Sequence, residues 1–251
     1  MLLTPPNSRK SRIGDHVRWK SEAGFGSGGI IRAHTRGTEF KGHPHHAHKP
    51  DHSDMHKGSA LRTIGCRATG STIWTLGHST RRMGAFLDLL TDHRLEAVAD
   101  VRRFPGSSRY PQYASAEVNA ALAGHGIAYR WIPTLGGRRR PQQDSQNTAW
   151  RNTSFRGYAD HMGTAEFSQG LNELLEVAGR LRTTLMCAEA MWWRCHRALI
   201  ADALRARNIE VVHILDVGRA VVHPYTSPAW IVQGRLTYVP TDVDGLPEVA
   251  R

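Results

Sequence analysis

The sequence predicts an α/β fold, a three-layer domain with a mainly parallel sheet, flanked by a disordered N-terminal leader and a short C-terminal extension. The prediction rests on two patterns, which alternate over residues 71–216. Short apolar segments with β-branched residues are followed by segments whose apolar residues recur at helical spacing. A strand followed by a helix returns to pair in parallel, so this alternation favours a parallel sheet covered by helices on both faces.

Each element of the domain follows from its local pattern. The predicted strands are residues 71–76, 95–101, 127–132, 183–187 and 210–215. The predicted helices run through Phe86 to Leu90, over residues 115–123, 155–162 and 165–178, and between Arg194 and Arg207. Ser115 and Thr164 stand where an N-cap is expected, and Gly124 stands where a helix should end. Residues 217–251 contain four prolines and one β-like piece, 235–239, and are predicted to pack on the edge of the domain.

A change of composition separates the leader, residues 1–70, from the domain. All five lysines of the chain lie in the leader, and every later cationic side chain other than histidine is arginine. Residues 1–72 carry 12 basic and 5 acidic side chains. This surplus of 12 − 5 = 7 positive charges is more than half of the formal net charge of +11. Because the leader lacks periodicity and is rich in Gly, His and Ser, we expect it to be disordered. The positive charge indicates anionic partners, but the mildly basic domain does not by itself require nucleic acid.

The leader also contains six closely spaced histidines with the donor chemistry for a borderline metal ion. They are His43, His45, His46, His48, His52 and His56. The alternative is a solvated tail, because no structured frame fixes the geometry of the ligands. A further hypothesis is that translation begins downstream of the leader, which the mass of the endogenous protein would test.

The composition excludes several protein classes. The three cysteines, Cys66, Cys187 and Cys195, are too few for a disulfide framework in a chain of 251 residues. No apolar stretch approaches the roughly 20 residues of a membrane span, and the N-terminal residues lack the apolar core of a signal peptide. We therefore expect a soluble cytoplasmic protein without a membrane partner, and the sequence leaves its oligomeric state open.

Polar residues follow the carboxyl ends of the first four predicted strands. They are His78, Ser79 and Thr80, then Asp100, Arg102 and Arg103, then Gly136, Gly137 and Arg138, and finally Cys187 and Glu189. Ligands of open parallel sheets bind outside the carboxyl ends of the strands, so we expect these four loops, the strand-end rim, to form one site. Arginine side chains suit phosphates and neighbouring aromatic rings suit bases. The alternative is a solvated arginine-rich surface.

The segment 185–197, LMCAEAMWWRCHR, concentrates reactive side chains. Cys187 stands at the end of a predicted strand. His196 stands in the first turn of the next helix, with its imidazole toward the sheet and with Cys195 and Arg197 diverging to either side. Because amides at a helix N-terminus lower the pKa of a nearby thiol, we expect a thiolate at Cys187.

Five strings of the domain carry a resemblance to a known family. They are GHST (77–80), DVRRFPGS (100–107), LGGRR (135–139), FRGYADHM (155–162) and MCAEAMWWRCHR (186–197), in that order between about Trp74 and Val239. Together they resemble the bacterial family catalogued as domain of unknown function 488. The resemblance implies an α/β fold and a site around the CAE and CHR strings, without an agreed activity.

Three residues are the candidates for catalysis. Cys187 is the candidate nucleophile, against the alternative of a buried structural cysteine. Glu189 and His196 are the candidate general base and acid, because burial beside a tryptophan would raise the pKa of the carboxyl group. The alternative for Glu189 is a structural ion pair with Arg194 or Arg197.

The candidate ligand-binding residues surround these three. They are His78, Ser79, Asp100, Arg102, Arg103, Arg138, Arg194 and Arg197. Asp100 would orient an arginine or His78, or else bond to loop amides, and Ser79 or Thr80 would otherwise act as an N-cap. The two late cysteines with His196 and His78 match no closed zinc spacing, so no metal site is predicted, and any cofactor is unknown.

These residues lead to one functional expectation and two alternatives. We expect an enzyme that acts on a phosphorylated or nucleotide-like ligand at the strand-end rim. The first alternative is a non-catalytic nucleic-acid-binding module that uses the rim and the basic leader, and its binding would weaken steeply with salt. The second is a metal or redox sensor, which elemental analysis and thiol titration would identify.

Overall fold

The structure, a computed structural model, describes residues 16–21, 24–32, 72–106 and 108–240. The leader's histidine cluster and most of the predicted disordered leader lie outside these residues. So do residues 241–251 of the predicted extension.

The described residues contain ten strands and five α-helices. The strands are β1 (His16–Ser21), β2 (Gly24–Arg32), β3 (Thr72–Gly77), β4 (Ala97–Asp100), β5 (Ala128–Trp131), β6 (Thr183–Cys187), β7 (Glu210–Asp216), β8 (Arg219–Val222), β9 (Trp230–Val232) and β10 (Arg235–Thr237). The helices are α1 (Met83–Asp92), α2 (Ser115–Ala123), α3 (Thr153–Met162), α4 (Ala165–Ala178) and α5 (Arg197–Arg205). None of these helices combines the length and apolarity that crossing a bilayer needs.

The five predicted strands form the parallel part of the main sheet. The strand order is β1-β2-β8-β7-β3-β6-β4-β5. Strands β7, β3, β6, β4 and β5 pair in parallel with their neighbours, whereas β8 pairs antiparallel with β7. The α/β fold with a mainly parallel sheet is therefore confirmed. The chain crosses from β3 to β4 and later returns to place β6 between them, so the loops after these three strands become neighbours.

Two parts of the sheet come from outside the predicted domain. β8 lies in the predicted extension, and residues 16–21 and 24–32 of the predicted leader form a hairpin whose second strand pairs with β8. The Gly-rich sequence of β2 has no apolar alternation, so the pattern did not indicate a strand. The β-like piece predicted at 235–239 contains β10, which pairs with β9 in a separate two-stranded sheet.

Local signals at the helix ends were right in one case and wrong in another. Thr164 caps α4, because its hydroxyl accepts a hydrogen bond from the Phe167 amide at 3.2 Å. Ser115 is not the N-cap of α2 but its first residue, and its hydroxyl pairs with that of Tyr129 at 2.8 Å. A tertiary hydrogen bond therefore replaces the local cap at this position.

Two apolar layers enclose the sheet from opposite faces. Leu185 of β6 belongs to the layer that packs under α3, α4 and α5, and the next residue, Met186, belongs to the layer under α1 and α2. Ile73 and Trp74 of β3 divide in the same way. Successive side chains of a strand point to opposite faces, so β3 and β6 each supply both layers and are buried on both sides.

We predict that Leu185→Ala lowers the free energy of unfolding by about 2–5 kcal/mol, because it leaves a cavity in a fully buried strand. Urea denaturation measures this change. The control Val217→Ala removes a side chain that is 55% exposed and should change stability by no more than about 0.5 kcal/mol. Equal effects of the two substitutions would contradict the assignment of Leu185 to the core.

Candidate functional site

The loops of the strand-end rim surround one cleft of about 700 Å³. All four loops line it, through His78 and Ser79 after β3, Arg102 and Arg103 after β4, Gly137 and Arg138 after β5, and Cys187 and Glu189 after β6. Arg194, Cys195 and His196, which precede α5, complete the floor and one wall. The structure thus brings most of the sequence-predicted site residues together, while Asp100 and Arg197 lie in the protein interior behind the cleft.

The register of the parallel strands produces this convergence. Gly77 at the end of β3 pairs with Cys187 at the end of β6, and Asp100 at the end of β4 pairs with Met186. The loop after β6 then crosses closely over β3, because a Cβ atom on Gly77 would lie 2.0 Å from the carbonyl oxygen of Glu189. A residue without a side chain is therefore required at position 77.

Two thiols and an imidazole form a compact cluster on the floor of the cleft. Cys195 Sγ lies 3.6 Å from Nδ1 of His196, and Nε2 of His196 lies 3.0 Å from the carbonyl oxygen of Val101. A carbonyl only accepts, so Nε2 carries the proton and Nδ1 presents its lone pair to the sulfur. Gly137 packs against this ring, since a Cβ atom there would lie 2.7 Å from Nδ1. The sequence predicts that the side chains of Cys195 and His196 diverge, but in the structure they are in contact.

The pKa values of the two thiols shift in opposite directions. Both cysteines are free and buried. The hydrogen bond to Cys195, together with burial, raises the pKa of Cys187 well above its usual value. Burial opposes charge on Cys195 too, but the hydrogen bond from Cys187 and the proximity of His196 and Arg197 outweigh it and lower the pKa of Cys195 well below its usual value. The direction of these shifts favours a thiolate at Cys195, whereas the sequence predicts one at Cys187.

Glu189 and Arg197 differ from their predicted environments. Glu189 is exposed at the mouth of the cleft, so burial beside a tryptophan does not act on its carboxyl group. Within residues 72–106 and 108–240 it forms no ion pair with Arg194 or Arg197. Arg197 is 1% exposed, and its Nη2 donates to the carbonyl oxygens of Glu189 and Ala190. Arg197 therefore supports the loop after β6 from beneath and does not face the cleft.

A buried ion pair fixes the loop after β4. Asp100 is fully buried and accepts hydrogen bonds from Nε of Arg102 at 2.8 Å and from the hydroxyl of Tyr129 at 2.7 Å. Nη1 of Arg102 donates to the carbonyl oxygen of Tyr113 at 2.8 Å and contacts Nε2 of His78 at 3.3 Å. Burial, with a smaller contribution from Arg102, lowers the pKa of His78 to about 4, so this histidine stays neutral. Asp100 orients Arg102, as one of the alternatives expected, and the arginine is engaged inside the protein.

Three other arginines remain exposed around the cleft. Arg103 donates from Nη1 to the carbonyl oxygen of Arg138 at 3.1 Å, and Arg138 and Arg194 also line the cleft. In the part of the chain that the structure describes, the guanidinium groups of Arg138 and Arg194 have no hydrogen-bond partner. Ser79 also lines the cleft, and it does not cap α1, whose N-cap residue is Arg82. Exposed guanidinium groups have the hydrogen-bonding geometry that suits phosphate and carboxylate oxygens.

Sequence reasoning missed the contribution of α3 to the site. Phe155 and Tyr158 line the cleft, and the hydroxyl of Tyr158 donates to the carbonyl oxygen of Leu135 at 2.7 Å. Burial raises the pKa of Tyr158 well above its usual value, so the phenol stays protonated. The available signal was the spacing of Phe155 and Tyr158, which places both rings on one face of a helix.

The thiol cluster also has the donor set of a metal site. Among the described residues, Cys187, Cys195 and His196 are the group whose ligand atoms lie together, all within 4.8 Å of one another. Two sulfurs and one imidazole nitrogen are ligand atoms that zinc accepts. The hydrogen bond from His196 to Val101 is of the kind that orients a metal-binding histidine.

Comparison with known proteins gives one match. Residues 82–204 match the family model described as Domain of unknown function DUF488. No curated protein and no solved structure matches the chain. The matched segment runs from α1 almost to the end of α5, so it includes the loops after β4, β5 and β6 but not the loop after β3.

We predict that Asp100→Ala destabilises the fold by about 3–5 kcal/mol, because it leaves the buried Arg102 charge without its partner. Thermal and urea denaturation measure the loss. The matched control is Glu173→Ala, which removes the partner of Arg130 in a pair whose arginine is 60% exposed, and it should cost about 0–1 kcal/mol. If Asp100→Ala were as mild as the control, Arg102 would not depend on this carboxylate.

Proposed function

We propose that this chain, which belongs to the DUF488 family through residues 82–204, is an enzyme that acts on a phosphorylated or nucleotide-like ligand with Cys195 as its nucleophile. The observation that carries the proposal is a pair of contacts on the floor of an arginine-lined cleft. Cys195 contacts His196, and His196 in turn is held by the carbonyl oxygen of Val101. A nucleophile, a base within reach and a third group that orients the base form the arrangement that activates a thiol.

The proposed chemistry follows from the protons of this cluster. The Sγ proton of Cys195 passes to Nδ1 of His196, which leaves a thiolate and an imidazolium held by the Val101 carbonyl. The thiolate attacks the electrophilic centre of the ligand, so that a bond to sulfur forms while the bond to the leaving group breaks. His196 returns the proton to the leaving group, and water later releases the covalent intermediate.

Cys187 and Glu189 take supporting roles in this proposal. Cys187 is the hydrogen-bond donor that keeps the Cys195 thiolate charged, because its own pKa is raised. Glu189 lines the mouth of the cleft with an exposed carboxylate. In the second step we propose that this carboxylate accepts a proton from the attacking water. The role of nucleophile thus passes to Cys195 from the cysteine that the strand position had suggested.

The class of ligand follows from the walls of the cleft. Arg103, Arg138 and Arg194 are exposed there, and guanidinium groups bind phosphate oxygens in pairs. Phe104 is 65% exposed, and Trp193 lines the same cleft, so flat apolar surfaces accompany the cations. Cations beside aromatic rings favour a nucleotide-like ligand, whose phosphates and base need one surface each.

We predict that iodoacetamide labels Cys195 in the native protein with a pH midpoint well below the value of about 8.5 for an ordinary thiol. A depressed pKa keeps the thiolate present at neutral pH, and reactivity is lost only as the pH falls through that value. Mass spectrometry locates the label, and Cys195→Ser is the blank. His196→Ala should move the midpoint upward. Labelling at Cys187 instead, or a midpoint near 8.5, would refute the assigned nucleophile.

A metal or redox sensor is the second candidate, because the same three donors lie within 4.8 Å of one another. Elemental analysis of the full-length protein separates the two functions. One tightly bound zinc per chain that protects both thiols from iodoacetamide would support the sensor and overturn the nucleophile. Protein without zinc whose two thiols titrate separately would favour the enzyme.

We predict that Arg194→Gln weakens the binding of pyrophosphate by about tenfold to a hundredfold, since hydrogen bonds to charged groups contribute roughly 1.5–3 kcal/mol. Isothermal titration calorimetry measures the affinity. Arg151→Gln is the matched control, because Arg151 is exposed but does not line the cleft. A nucleic-acid-binding module would instead bind a single-stranded oligonucleotide in preference to pyrophosphate, with a steep dependence on salt.

A further inference from the structure

A second polar cluster lies behind the cleft and is sealed from solvent. Its members are Arg197, Thr75, His213, His223 and Asp202, and each is at most 1% exposed. The indole of Trp192 covers it, stacked on the ring of His213 with a centroid distance of 4.2 Å. Buried polar groups are costly unless each has a partner, so the hydrogen bonds of this cluster determine whether it is tolerated.

The five groups form one unbranched chain of hydrogen bonds. Nη1 of Arg197 lies 3.2 Å from Oγ1 of Thr75, which lies 2.6 Å from Nδ1 of His213. Nε2 of His213 lies 2.9 Å from Nδ1 of His223, and Nε2 of His223 lies 3.0 Å from Oδ1 of Asp202. The chain therefore runs from a cation to a carboxylate across three neutral groups.

The two ends of the chain fix the direction of every hydrogen bond in it. Arg197 only donates and Asp202 accepts, since its oxygens also receive the Thr226 amide and the Tyr238 hydroxyl. Burial lowers the pKa of both histidines, so each carries a single ring proton. That proton must be on Nε2 in both rings, because each Nδ1 accepts from the preceding member of the chain.

The arginine end of the chain reaches the thiol cluster. Nη2 of Arg197 donates to the carbonyl oxygens of Glu189 and Ala190, in the loop that follows Cys187. The sulfur of Cys187, just before this loop, lies within 4.8 Å of the sulfur of Cys195. An arginine that could rotate away would neither hold this loop nor keep its charge near the sulfur, so its orientation matters for the chemistry.

We propose that Thr75, His213, His223 and Asp202 are positioning residues, which hold the Arg197 guanidinium against the loop after Cys187 through a one-directional chain of hydrogen bonds. The inference rests on the proposed function, because Arg197 acts on the thiol that is assigned as the nucleophile. It gives the C-terminal part of the chain a role at the site. His223, Thr226 and Tyr238 all come after β7 and meet at Asp202.

Several ionisable groups face Cys195, and the test must separate Arg197 from them. They are Cys187 from β6, Tyr158 from α3, and His196 and Arg197 at the start of α5. Thr75 contacts none of the first three in the described hydrogen bonds, whereas it bonds directly to Arg197 and His213. Removal of its hydroxyl therefore breaks the chain without altering a group that lines the cleft.

The experiment compares Thr75→Val with Thr184→Val in the full-length protein. Both threonines are fully buried in adjacent strands, but the hydroxyl of Thr184 contacts only the carbonyl oxygen of Leu185, at 3.4 Å. The readout is the pH profile of iodoacetamide labelling at Cys195. We expect Thr75→Val to raise the midpoint by about one pH unit, because the cation loses its place beside the sulfur, and so to slow labelling by about tenfold at a pH below both midpoints. Thr184→Val should leave the midpoint unchanged.

An unchanged midpoint in folded Thr75→Val would overturn the positioning role, even if Cys195 of the parent protein labels at low pH. A parent midpoint near that of an ordinary thiol would instead refute the proposed nucleophile, while the difference between the variants would still test the chain.

If Thr75→Val does not fold, nitrogen NMR of the histidine-labelled parent protein decides the question. Nε2-protonated neutral rings at His213 and His223 are expected, and an Nδ1-protonated ring at either would overturn the chain.

Discussion

A guanidinium group without access to solvent, that of Arg197, connects the parts of this protein that would otherwise be independent. It bonds to β3 through Thr75 and to the loop after β6 through two carbonyl oxygens, and through the buried histidines it reaches Asp202. A buried charge is costly unless hydrogen bonds and a counter-charge offset it. Nη1 and Nη2 of Arg197 have such hydrogen-bond partners, whereas its Nε has none among the described residues. The sheet, the thiol loop and the C-terminal strands must therefore take up consistent positions around this one side chain.

The arginines of the site fall into two groups, one buried and one exposed. Arg102 and Arg197 are buried and engaged by internal acceptors, so they hold the loops after β4 and β6 in place. Arg103, Arg138 and Arg194 are exposed and line the cleft, where they are available to an anion. Because Arg102 and Arg197 hold these loops, the three exposed arginines keep a fixed spacing. Cations that are already in position can bind an anion without the entropic cost of ordering their loops first.

The site is larger than the segment that defines the family. The match covers residues 82–204 and includes both late cysteines, His196 and Arg197. Thr75, His213 and His223 lie outside it, yet they complete the hydrogen-bond chain that ends at Arg197. Adjacent strands bring these residues together, since β3 pairs with both β6 and β7. Strand β3 and the C-terminal part of the chain thus belong to the same hydrogen-bonded unit as the matched segment.

The sequence alone determined the five parallel strands, most helix bounds and the meeting of four polar loops. These follow from short-range periodicity and from the rule that parallel strands end at one edge. Only the tertiary structure decided that Cys195 lies in contact with His196, that Glu189 is exposed and that Arg197 is buried. Protonation and burial depend on groups distant in the chain, such as Val101 and Thr75, and on the insertion of β6 between β3 and β4. No local pattern encodes that strand order, because its free energy comes from packing between segments far apart in sequence.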